Sequence, residues 1–149
     1  MKLNPKYLPK NLSKKDYKKQ LKNIRNTMKN YKKRKYVNRP HLDSFHLKPS
    51  KHVFHAMKMY DVPNIQPTRA LAKKTGCSLG ALKKIVNKGE GAYYSSGSRP
   101  NQTAQSWGIA RLASAITGGN AAKVDKDILI KGCTPNSRAL REYNKSVKN

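Results

Sequence analysis

Apolar residues in the first part of the chain recur at helical spacing within a dense field of lysine. The steps between them are 4, 3, 4 and 3 residues, the period of an amphipathic helix, at Tyr17, Leu21, Ile24, Met28 and Tyr31. Ser13 can cap the first turn, with Asp16 three residues later. The pattern predicts one long helix with a narrow apolar stripe. That stripe suits a helix lying on its own domain and equally an arm lying on another molecule.

Further helices are predicted after a linker at residues 41–50. Ser50 caps a short helix that Pro63 ends, residues 68–88 hold two helices, Thr103 caps a helix that Gly118 and Gly119 end, and a last helix begins at Thr134. We therefore expect a mainly α fold with a small helical domain over residues 50–149. An extended basic helical N-terminal arm and linker over residues 1–49 would precede it.

The segment from Thr68 to Lys88 has the spacing of a helix-turn-helix. Ala72 is small enough for close helix crossing, Gly76 accepts the positive φ that ends a helix, and Ser78 can cap the second helix. Lysines suited to phosphate contacts surround the second helix. A structural hairpin has the same spacing, and Gly80 and Ala81 stand where base-reading Arg, Asn or Gln would be expected. The helix-turn-helix-like pair therefore remains open between the two readings.

Charge narrows the classes of partner. The chain has 33 Lys plus Arg against 7 Asp plus Glu, a net charge of +26, with 15 of the cations and a single acid in the first 40 residues. Such a chain repels itself, and an anionic partner relieves the repulsion. Nucleic acid, an anionic membrane surface and acidic protein faces all qualify. The residues expected to bind such a partner are Lys14, Lys15, Lys18, Lys22, Arg25, Lys32, Lys33, Arg34, Lys35, Lys73, Lys74, Lys83, Lys84, Arg99 and Arg111.

The number of cysteines and the lack of a recognisable targeting segment point to a protein of a reducing compartment. The sequence has no apolar stretch long enough to span a membrane and no apolar secretory signal, so a chain that is neither exported nor membrane-spanning is expected. Cys77 and Cys133 are too few for a disulfide framework. Two buried free thiols are therefore predicted in preference to a bridge.

No residue pattern predicts catalysis, a metal or a cofactor. His52 and His55 share a helix face but lack the paired cysteine spacings of zinc sites. The serine-rich turn at residues 95–98 has no histidine within or after it to serve as a base. Asp125 and Asp127 are typical of a surface turn beside lysines. A non-enzymatic protein is therefore expected.

An aromatic and arginine cluster is the remaining alternative from the residues alone. It would stack on single-stranded nucleic acid and consist of Tyr93, Tyr94, Arg99, Trp107 and Arg111. The competing interpretation is that the aromatic rings fill the core while Arg99 and the hydroxyl groups fix a long loop. The second interpretation is favoured.

The block from Leu71 to about Cys133 resembles an uncharacterised domain family of giant double-stranded DNA viruses, such as chlorella viruses and mimiviruses, and of some tailed phages. The matching pieces are Gly76, Tyr93-Tyr94, Ser98-Arg99-Pro100, Trp107, Ala110-Arg111 and Gly118-Gly119. The resemblance implies a viral origin and no catalytic role. Small basic proteins with extended arms often serve in such viruses as minor capsid components.

The resemblance therefore implies a virion structural protein, made in the cytoplasm or nucleus of the host cell. Its partners would be other capsid proteins, major and minor, with double-stranded DNA and an anionic internal membrane surface as further contacts. The runner-up is a DNA-binding or genome-packaging protein of the virion that uses the helix pair. Extended basic segments gain affinity by folding as they wrap a partner, which fits the predicted arm.

Overall fold

A computed structural model describes residues 3–148, and the regular secondary structure of that range is helical. A short 3-10 helix at Pro5–Tyr7 precedes eight α-helices: α1 Lys14–Lys32, α2 Lys51–Tyr60, α3 Arg69–Thr75, α4 Leu79–Ser95, α5 Ala104–Ile116, α6 Asn120–Val124, α7 Lys126–Gly132 and α8 Arg138–Lys148. The predicted mainly α fold is confirmed.

Helix starts and stops follow the capping residues read from the sequence. The Ser13 side chain accepts a hydrogen bond from the Asp16 backbone N–H, and Ser50 caps α2 in the same way. Gly76 ends α3 with φ at 79°, a left-handed conformation that favours glycine. Thr103 accepts from the Ser106 N–H at 3.0 Å at the start of α5. The last helix begins at Arg138, a turn later than predicted.

The chain divides into two compact units, which differ from the predicted arm and domain. Unit 1 consists of the residues up to Lys48 together with Glu90–Trp107, and unit 2 consists of Pro49–Gly89 and Gly108–Asn149. The first boundary lies at the predicted linker. The N-terminal segment, however, is not an isolated arm, because α1 is part of unit 1. Glu90–Trp107, expected in the C-terminal domain, belongs to unit 1 as well.

Unit 2 has an apolar core of conventional composition. Helix α3 packs against α2 and α8, and α8 also packs against α6 and α7. The side chains at the centre of this core are fully or almost fully buried and include Leu71, Leu82, Ile85, Leu112, Ile116 and Leu129. Each contributes roughly 1.5 to 3 kcal/mol of burial free energy. The Tyr60 hydroxyl satisfies its polar end by donating to the Ile116 carbonyl.

The two cysteines form a disulfide, so the prediction of two free thiols is wrong. Cys77 follows the turn after α3, and Cys133 follows α7, 56 residues later. The two segments meet as an antiparallel bridge. The Ser78 N–H donates to the Gly132 carbonyl at 2.7 Å, and the Thr134 N–H donates to the Gly76 carbonyl at 2.9 Å. The backbone pairing places the two cysteines side by side, and their spacing in the sequence did not indicate that they would meet.

Candidate anion-docking surfaces

Helix α1 carries a solvent face composed of cations. Eight Lys and Arg side chains lie on the helix and all are exposed: Lys14, Lys15, Lys18, Lys19, Lys22, Arg25, Lys29 and Lys32. At about 100° per residue they fall within a sector of about 140°, along a helix about 28 Å long. We call this surface the α1 basic face. It includes the six predicted partner-binding residues that lie on α1, and it adds Lys19 and Lys29.

The opposite face of α1 is buried but largely polar. The buried residues are Asp16, Gln20, Ile24 and Thr27, rather than the predicted stripe of five apolar residues. Of that stripe only Ile24 is fully buried, whereas Tyr17 is 41% exposed. The stripe was predicted from hydrophobicity alone, and the helix is instead rotated so that side chains with hydrogen-bonding partners face inward.

Each buried polar residue of α1 has a partner from another part of unit 1. Asp16 accepts from the Ser44 N–H at 3.0 Å and from the Ser44 hydroxyl at 2.6 Å. These hydrogen bonds from Ser44 lower the pKa of the Asp16 carboxyl. The Gln20 amide donates to the carbonyls of Tyr7 and Ser98, each at 3.2 Å. The helix is thereby fixed with its basic face outward.

A buried arginine, Arg39, joins α1 to the Glu90–Trp107 segment of unit 1. Its guanidinium donates to Asn23 and Thr27 of α1, each at 3.1 Å, and to the Ser98 hydroxyl at 3.0 Å. It also donates to the Tyr93 carbonyl at 2.6 Å and lies 4.4 Å from the centroid of the Tyr93 ring. Burial lowers the pKa of Arg39. These acceptors are neutral, so Arg39 acts as a structural tie.

The cationic turn, residues Lys32–Lys35, begins at the last residue of α1. All four side chains are exposed. The N–H groups of Lys33 and Lys35 both donate to the Asn30 carbonyl, and Arg34 adopts a left-handed conformation with φ at 61°. This hydrogen-bonding pattern is the usual one for a helix that ends in a left-handed residue. Four of the predicted binding residues therefore lie on one ordered turn.

The predicted basic residues of unit 2 lie on α3 and α4. Lys73 and Lys74 are exposed on α3, and the Lys74 ammonium donates to the Asp61 carbonyl at 2.8 Å. Lys83 and Lys84 are exposed on α4 and line a groove of about 590 Å³ between α4 and α7. Lys131 adds a third cation to the same groove, and Asp127 offsets part of its positive charge. Helices α3 and α4 and the turn at Gly76 are present, whereas a helix-turn-helix-like pairing of the two helices and its use in binding DNA stay predictions.

Arg111 is already occupied by a carboxylate, which argues against its predicted role. Its guanidinium makes two hydrogen bonds to the buried Asp125 carboxylate, at 2.8 Å and 2.7 Å, and these raise the pKa of Arg111. Lys88 lies 3.8 Å from the same carboxylate. Asp125 is thus a buried ion-pair partner and not the surface turn that the sequence indicated.

The residues proposed for stacking do not form one exposed cluster. Tyr93 is fully buried, and the ring of Trp107 lies edge-on to Tyr7 at 5.8 Å between centroids. Arg99 is exposed on the loop, whereas Arg111 is paired within unit 2. Packing accounts for Tyr93, as the favoured interpretation held.

The described residues offer no assembled metal site and no membrane span. Residues 3–148 contain no group of three or more His, Cys, Asp or Glu side chains placed to hold a metal ion. The His41 ring lies 3.2 Å from the Asp43 carboxylate at the surface. Over the same residues, no helix is both long enough and apolar enough to cross a bilayer.

The site includes residues that sequence reasoning missed. Lys19 and Lys29 carry a recognisable signal, because they continue the spacing of the other cations on α1. Arg39 carries none, because an arginine in a basic run does not reveal that it is buried.

These features define a mainly helical, strongly basic protein whose cationic surface is supported by buried hydrogen bonds. The chain belongs to a family of unknown function, DUF5824, whose family model matches residues 6–131. That range takes in α1 as well as the block after Leu71, so the N-terminal segment is part of what defines the family. No curated protein matches the chain. No solved structure matches it either.

Proposed function

We propose that the protein is a virion structural protein, a minor capsid protein of the cement or scaffold kind, that docks without catalysis onto anionic surfaces of neighbouring capsid subunits. The α1 basic face carries this proposal. Its cations are exposed, and the one acid of α1, Asp16, is buried and hydrogen-bonded on the opposite side. A cationic surface without acids of its own is complementary to a partner that supplies them. The viral context comes from the resemblance of the block after Leu71.

Docking through this face would be rigid and would not require the N-terminal segment to fold on its partner. The hydrogen bonds of Asp16, Gln20 and Arg39 fix α1 before any partner is bound. A surface organised in advance loses less conformational entropy on binding. Its charges accelerate encounter with an acidic surface, and salt weakens this electrostatic attraction.

Fractionation of virions tests the proposal. We expect the protein to stay with empty shells after genome release and to leave them as salt is raised. The variant Lys18→Glu, Lys22→Glu and Arg25→Glu should not be incorporated into particles. Exposed lysines of unit 2 provide a control with the same change in charge: Lys123→Glu, Lys126→Glu and Lys148→Glu. Departure of the wild-type protein with the genome, or equal loss of both variants, would refute docking through this face.

A DNA-binding or genome-packaging role is the second candidate. It is favoured by Lys83, Lys84 and Asn87, which line the groove beside the exposed side of α4. Duplex affinity would then fall steeply with salt, because phosphate contacts release counterions. Lys83→Ala with Lys84→Ala should weaken duplex binding more than Lys14→Ala with Lys15→Ala. Equal effects would rule out a specific role for the helix pair.

A further inference from the structure

Three tyrosine rings lie in series on the surface of unit 1. The ring centroids of Tyr31 and Tyr36 are 6.2 Å apart, and those of Tyr36 and Tyr94 are 5.0 Å apart. We call these three residues the tyrosine platform. Tyr36 stands in the middle with 65% of its surface exposed, and Tyr31 is 36% exposed. Beneath it, the buried Tyr93 meets Tyr94 edge-on at 4.9 Å.

The loop that carries Tyr36 is fixed on both sides. Before it, the N–H groups of the cationic turn are hydrogen-bonded to the last carbonyls of α1. After it, the Asn38 carbonyl accepts from the Asn23 amide at 2.9 Å, and the Asn38 side chain accepts from the Tyr94 hydroxyl at 3.3 Å. Next to Asn38, the Arg39 N–H donates to the Tyr93 hydroxyl at 2.8 Å. The position of Tyr36 is therefore set by the fold.

Packing does not account for Tyr36. A tyrosine contributes to stability by burying its large apolar ring, and most of this ring is in solvent. The tyrosine platform also adjoins the cationic turn in sequence, because Tyr36 directly follows Lys35. An exposed aromatic surface beside cations is the composition of single-stranded nucleic-acid sites, in which bases stack on rings and phosphates meet the charges.

We propose that the tyrosine platform and the cationic turn form a binding site for single-stranded nucleic acid. An unpaired base stacks on the exposed ring of Tyr36, and Lys32–Lys35 contact the adjoining phosphates. Bases in a duplex are already stacked on each other, so they have no free face to stack on the Tyr36 ring. An acidic protein segment would need only the cations and not the ring. This inference goes beyond the proposed docking role and does not depend on it.

Two oligomers of equal charge test the site. One is a labelled decathymidylate, and the other is an abasic decamer with the same phosphates but no bases. Fluorescence anisotropy with the full chain at fixed ionic strength should give affinity about tenfold or more higher for decathymidylate, the effect of one stacked base. Equal affinities for the two oligomers would overturn the proposal and leave a surface that recognises charge alone.

Variants locate the stacking residue. Tyr36→Leu should lower decathymidylate affinity to the abasic level, and Tyr36→Trp should preserve the difference. Tyr17→Leu, at the other end of α1, is the matched control and should change neither affinity. Far-UV circular dichroism should be the same for all variants because leucine keeps an apolar side chain at each position and neither tyrosine is a buried core residue. A base-dependent difference that survives Tyr36→Leu would also overturn the proposal.

The charge-reversed α1 variant separates this site from the docking role. It should lower the affinity for both oligomers by the same factor and leave the preference for bases unchanged. Failure of the wild-type protein to stay with empty shells would refute docking alone.

Discussion

The disulfide gives the most quantitative prediction. Replacing both cysteines with Cys77→Ala and Cys133→Ala opens a covalent loop defined by a sequence separation of 56 residues. The loop-closure relation gives an entropy difference of about 14 cal/mol/K for such a loop, or about 4 kcal/mol at 25 °C. The effect acts on the unfolded chain. In the folded chain, the hydrogen bonds from Ser78 to Gly132 and from Thr134 to Gly76 still hold the two segments together.

Urea unfolding followed by far-UV circular dichroism measures this difference. The oxidised protein, the reduced protein and the double alanine variant should all have the same helical signal without urea. With a slope of about 2 kcal/mol per molar urea, the last two should unfold at a midpoint about 2 M lower. A difference below about 1 kcal/mol, or loss of helix on reduction, would refute the reasoning. Detection of two free thiols in the wild-type protein, unfolded without a reductant, would refute the disulfide itself.

Three further predictions concern buried charge. Arg39→Ala should lower the free energy of unfolding by about 3 kcal/mol in urea titrations, because it leaves several buried acceptors without their donor; an effect below 1 kcal/mol would contradict its role as a tie. Arg111→Ala should also cost about 3 kcal/mol by leaving the Asp125 carboxylate unpaired, and it should not change decathymidylate affinity. The lowered pKa of Asp16 means that its contribution is present above about pH 4 and is lost as pH falls through the lowered pKa. Asp16→Asn should therefore flatten the decline in stability as the pH falls below about 4.

Local chemistry made most of the fold predictable. Ser13, Ser50 and Gly76 act within a turn of the chain, and their effect on a helix end does not require knowledge of distant residues. Six of the eight cations of α1 were predicted from their local spacing, and Lys19 and Lys29 continue the same spacing.

Long-range pairing decided what the sequence could not predict. The apolar stripe of α1 indicated one buried face, yet Asp16 and Gln20 are buried because Ser44 and Ser98 supply hydrogen bonds from 28 and 78 residues away. Hydrophobic periodicity does not register such partners. The same limit applies to Arg39, whose acceptors come from two separate segments, and to the disulfide.

Repulsion between the like charges of the α1 basic face has a testable consequence for stability. Like charges four residues apart on a helix, such as Lys14 with Lys18 and Arg25 with Lys29, destabilise it by about 0.2 to 0.5 kcal/mol per pair. The buried hydrogen bonds of α1 must offset that repulsion, which added salt screens. Salt should therefore raise the melting temperature of the free protein while it weakens binding to any anionic partner. A melting temperature that falls with added sodium chloride would show that repulsion between the cations does not destabilise the free protein. The α1 basic face would then not be a destabilising surface retained for a partner.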